Sequence, residues 1–114
     1  MDAARLATVR DEVGEYTMRR FITAYLDLLQ ARLERIAKPL EHGRADSLRA
    51  AFDLSVSSEM LGAARLAELA AGIERSLREG KLPGARQLAA LRAEADSVAA
   101  ALFGMIKADG SSGR

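Results

Sequence analysis

From Met18 to Ile36 the apolar residues Met18, Phe21, Ile22, Tyr25, Leu28, Leu29, Leu33 and Ile36 recur at intervals that keep to one helical face. Such spacing draws one stripe along a helix of 3.6 residues per turn, whereas a half-buried strand needs every second residue apolar. The segment from Glu15 is therefore an amphipathic helix with a single face to bury. Its end is dictated as well, because Pro39 lacks an amide proton and disfavours helix at Lys38. Nowhere in the chain does the alternation of a strand occur. A long helix of this kind needs other helices to cover its stripe.

The rest of the chain supplies them. Leu6, Val9 and Val13 mark a short front helix over residues 3–13, interrupted by Gly14. After the His42-Gly43 break, Asp46 with Ser47 behind it opens a helix whose inward residues are Leu48, Ala51, Leu54, Ser58 and Leu61. Leu61-Gly62-Ala63 reads as a bend or close approach, since the periodicity resumes at once with Leu66, Leu69, Ile73 and Leu77. That stripe ends at Gly80, with Arg75 and Arg78 placed to complement the helix dipole. Beyond Lys81-Leu82-Pro83-Gly84 a last helix runs through Leu88, Leu91, Ala95, Val98, Leu102 and Ile106. Short connections force neighbouring helices antiparallel. The expected fold is all-α, an antiparallel up-down-up-down four-helix bundle over residues 1–107 with a short additional N-terminal helix. Residues 108–114, polar and Gly/Ser-rich, are expected to form a disordered tail.

Charge and composition exclude several functions. Net charge is +1, from 17 basic and 16 acidic residues interspersed along the chain, which gives no field to gather a polyanion, so nucleic acid is not an expected partner. There is no cysteine, which removes disulfides, thiol catalysis and thiolate metal sites and fits a reducing compartment; the expected location is cytoplasmic. No apolar run approaches the ~20 residues that span a bilayer, and the first residues lack the order of a secretory signal, so no membrane association is expected. The carboxylates show no Glu-x-x-His pattern, so neither a metal nor another cofactor is expected. Arg19-Arg20 and the run Arg32, Glu34, Arg35 read as solvated helix faces. Tyr16 and Tyr25 are expected at the core or its edge, with their hydroxyls reaching water.

The stretch from Leu48 to Glu74, LRAAFDLSVSSEMLGAARLAELAAGIE, carries a specific pattern in Ala51, Leu54, Ser57, Leu61, Gly62, Ala63, Leu66 and Glu74. It resembles the signature region of histidine-containing phosphotransfer (HPt) domains, and the resemblance extends over roughly residues 3–106. The departures cluster where that family does its chemistry: Phe52 stands at the phosphorylated histidine, Ser55 at the usual lysine and Val56 at the usual glycine. A phenyl ring offers no nitrogen to attack an aspartyl phosphate, Ser55 supplies no cation for the phosphoryl group in transfer, and Val56 puts a branched side chain where a partner's loops would approach. The resemblance therefore implies a module without phosphoacceptor, and no enzyme: a pseudo-HPt domain, monomeric, that binds a response-regulator receiver domain or a histidine kinase and regulates it.

At about 100° per residue, Phe52 points on the order of 120° away from the centre of the inward face, so it should be partly exposed. Val56 falls on the same side, with Arg49, Ser55 and Glu59 around the pair. Arg49, Phe52, Ser55, Val56 and Glu59 are thus the candidate partner-binding residues. The plainer account of Phe52 is that it leans onto a neighbouring helix. Two rival functions stand beside the binding module. One is an active phosphocarrier using His42, the only histidine, which lies ten residues before Phe52 and on the order of 15 Å away along a helix. The other is a structural or oligomerising helical module whose Phe52 patch is covered by another copy.

Overall fold

The computed structural model describes residues 3–112, with side chains described from Ala4 to Ile106. Six helices follow one another: α1 (Ala3–Val13), α2 (Glu15–Ala37), α3 (Pro39–His42), α4 (Arg44–Met60), α5 (Ala64–Arg78) and α6 (Ala85–Ser112). There is no strand among the described residues. α6 continues past Ile106, where its apolar periodicity ends, to Ser112; Gly113 and Arg114 lie outside the described residues.

The breaks between helices follow from local chemistry. Gly14 and Gly43, with φ of 87° and 92°, turn the chain where an L side chain would be strained. Lys38 leaves the helical region at φ −128°, ψ 61°, as a residue before proline does, and Pro39 then opens the single turn of α3, which the apolar periodicity does not foretell. α4 begins at Arg44 rather than at Asp46; Gly43 is its N-cap, and no side chain caps it. Leu61-Gly62-Ala63 is a full stop and not a bend. Gly62 adopts φ 77°, its amide donates to Glu59 O (3.0 Å), and the Ala63 amide donates to Ser58 O (2.9 Å), the paired bonds of a Schellman motif. α5 ends in the same way, with Gly80 bonded to Leu77 O and Lys81 to Ser76 O.

α2 packs on α4, α4 on α5, α5 on α6 and α6 back on α2, while α1 lies along α2. The result is an all-helical rod of 50 × 21 × 21 Å. Its core takes Met18, Ile22, Tyr25, Leu29, Leu33 and Ile36 from α2, Ala50, Ala51 and Leu54 from α4, Leu66, Ala70, Ile73 and Leu77 from α5, and Leu91, Ala95, Val98 and Leu102 from α6. Burying each large aliphatic contributes about 1.5–3 kcal/mol. The alanines on α4 and α5 let those helices approach closely. Two residues of the predicted stripes do not join the core: Leu28 is 47% exposed and Val13 45%. Leu28 falls on the outer flank of a face already filled by Tyr25 and Leu29.

Polar groups tie α4 to α2. The Tyr25 and Ser58 hydroxyls share a hydrogen bond of 2.8 Å inside the core. Arg32 donates to Ser57 Oγ at 3.2 Å, and Ser57 donates to Asp53 O at 2.7 Å. Ser47, fully buried, donates to Arg35 O. Tyr25 therefore finds its partner within the protein and not in water. Tyr16 lies outside the core altogether, 74% exposed, with the Arg20 guanidinium 5.9 Å from its ring centroid.

Candidate functional site

The five residues singled out from the sequence all lie on α4. The core takes Ser47, Ala50, Ala51, Leu54 and Ser58 from this helix, which leaves the opposite side to Arg49, Phe52, Val56 and Glu59. All four are exposed, Phe52 at 49% and Val56 at 44%. Ser55 is half-buried on the flank of the stripe. Half of the Phe52 surface thus faces solvent, although the ring sits on a helix packed against both α2 and α5.

The apolar surface continues beyond these five residues. Met60, one turn beyond Val56, is 52% exposed. It joins Ser55, Val56 and Glu59 in a shallow groove of about 410 Å³ whose other wall comes from Ala67, Glu68 and Ala71 of α5, with Arg5 of α1 at one edge. Met60 also borders a second apolar hollow, of about 240 Å³, formed with Val9, Val13, Thr17 and Phe21 where α1 lies along α2. Extending the Phe52–Val56 spacing by one more turn would have reached Met60. The contribution of α1 and α5 has no local signal, because it depends on how helices distant in sequence pack.

The chemistry available at this surface is limited. Among the described residues no cluster of His, Cys, Asp or Glu could hold a metal ion. Ser57 spends its hydroxyl on Asp53 O and on the Arg32 guanidinium. Glu74 is held by Arg78 through two hydrogen bonds of 2.8 and 3.0 Å one turn along α5. His42 closes α3 and is exposed, separated from α4 by Gly43; its imidazole has no hydrogen-bond or ion-pair partner among the described residues. An imidazole without an orienting group is poorly prepared for nucleophilic work. What α4 presents outward is an apolar row of Phe52, Val56 and Met60 flanked by the charged Arg49 and Glu59. No helix among the described residues is long and apolar enough to cross a membrane.

Comparisons of the chain with protein-family models, with curated proteins and with solved structures gave no match.

Proposed function

We propose that the chain is a pseudo-HPt module: an up-down-up-down four-helix bundle of α2, α4, α5 and α6, with α1 as the additional N-terminal helix. It works in the cytoplasm as a monomer, binding a response-regulator receiver domain or a histidine kinase and regulating it without carrying phosphate. The observation that carries this reading is Phe52, half exposed on the outward face of α4 at the position where the resembled family has its histidine, with Val56 beside it. The cyclic packing of the four long helices fits that bundle.

An aromatic ring in place of imidazole keeps docking area and removes the nucleophile. A module of this kind acts by occupancy. It blocks true phosphotransfer, or it biases the partner's conformations by as much as its affinities for them differ. Titration of candidate receivers and kinases with the wild-type chain, beside Phe52→Ala and Val56→Gly, tests the reading. A partner that binds wild type and loses about tenfold in affinity for Phe52→Ala supports it. Acid-labile, base-stable phosphate appearing on this chain in a phosphorylated kinase–receiver mixture would overturn it.

A further inference from the structure

We propose that the outward face of α4 also docks on the same face of a second copy of this chain, the two helices running antiparallel about a two-fold axis at the level of Leu54. Arg49, Phe52, Val56 and Glu59 follow one another at intervals of three, four and three, the spacing of a helix–helix seam, and all four are exposed. Their spacing is symmetric about Leu54. Phe52 and Val56 lie two residues to either side of it, and Arg49 and Glu59 lie five. A two-fold axis there sets Phe52 of each copy against Val56 of the other, and Arg49 of each against Glu59 of the other. Apolar pairs then occupy the centre and opposite charges close both ends, the arrangement of a protein interface with its rim.

The charges select this register over its neighbours. A parallel pairing would set Arg49 against Arg49 and Glu59 against Glu59. An antiparallel pairing centred on Val56 would bring Asp53 against Glu59 twice. Neither Arg49 nor Glu59 has an ion-pair partner in its own chain among the described residues, so both are available to a copy. A single helix of 17 residues spans only about 25 Å, so the contact is small and the association weak, and the monomer stays the prevailing form at low concentration. The pairing requires no receiver or kinase. Where the proposed function also holds, the dimer masks the docking face, and self-association competes with the partner.

Sedimentation equilibrium of the full chain from about 10 µM to 1 mM, with no other protein present, is the test. Wild type should show a concentration-dependent dimer. Arg49→Glu and Glu59→Arg should each weaken it by roughly tenfold or more, since each variant sets like charges against each other twice. An equimolar mixture of the two variants should recover the dimer, because a mixed pair sets two acidic side chains of one copy against two basic side chains of the other, one opposite-charge contact at each end. Both substitutions exchange good helix formers on an exposed face, and unchanged helical circular dichroism shows that the fold is kept. The proposal is overturned by a wild type that stays monomeric to 1 mM, by reversals without effect, or by a mixture no better associated than its components. Loss of receiver binding leaves it untouched, because no receiver takes part.

Discussion

The Ser47 hydroxyl donates to the carbonyl oxygen of Arg35. In an uninterrupted helix that carbonyl would accept from the amide of the residue four positions on, and here that residue is Pro39, which has none. Ser47 thus replaces, from α4, the donor that proline removes from the end of α2. The same pair of helix ends is bridged a second time by Arg35 Nε and Asp46 Oδ2, 3.6 Å apart, with both side chains about half exposed.

These two links should differ sharply in worth. Ser47→Ala leaves a carbonyl short of a donor in a partly buried seam, and urea unfolding should show a loss of about 1–2 kcal/mol. Asp46→Asn removes an ion pair screened by water, and the same measurement should change by less than about 0.5 kcal/mol. Equal effects would show that the backbone link is not the one that matters.

Glycine substitutions should separate backbone strain from crowding. A Cβ at Gly43 would meet nothing within 4 Å, and the same is true at Gly104. Gly43 holds φ 92°, ψ 141°, a region that L residues hardly enter, so Gly43→Ala should cost about 1–3 kcal/mol despite the open space. Gly104 sits inside α6 with no positive φ, and Gly104→Ala should stabilise by about 0.5–1 kcal/mol. Thermal melts of the two variants should therefore move in opposite directions.

Tyr25 makes stability depend on pH at the alkaline end. Burial pushes its phenol above the ordinary value, opposed by the hydrogen bond to Ser58 and by the charge of Arg32. A proton is then held more tightly in the folded chain than in the unfolded one. The stability this contributes is fully present below the unfolded phenol's pKa, about 10, and is lost as pH rises from there through the folded value. Wild type should weaken in that window, and Tyr25→Phe should flatten the curve. In a Tyr16→Phe background, tyrosinate absorbance should develop later in the folded chain than in urea.

The helices were legible because their information is local. The stripe from Met18 to Ile36, the proline at 39 and the glycines at 14, 43 and 80 each act within a few residues. Hydrogen bonds that join α2 to α4 were not legible. Asp46-Ser47 has the composition of a helix start because serine and aspartate so often cap; Ser47 instead points into the α2–α4 seam, and Gly43 is the N-cap of a helix that begins at Arg44. Tyr16 and Tyr25 have the same chemistry and opposite environments, a difference set by which helix lies over each. At the candidate site, the outward face of α4 followed from angles alone, whereas the walls given by Ala67, Glu68 and Arg5 needed the packing.

If the chain is the pseudo-HPt module proposed above, a histidine placed at position 52 alone should not confer phosphotransfer. In Phe52→His the imidazole would stand on an exposed face, accessible to a partner, so access is not the obstacle. The obstacles are its neighbours. Ser55 offers no positive charge to the phosphoryl group in transfer, and Val56, exposed one turn on, keeps a branched side chain where the reacting aspartyl phosphate must come within bonding distance. Arg49, one turn earlier, carries a cation, but on the opposite side of position 52 from Ser55 and Val56. With a phosphorylated receiver, Phe52→His should take up label at least about a hundredfold more slowly than Phe52→His/Ser55→Lys/Val56→Gly. Equal rates for the two would show that the histidine was the only part missing.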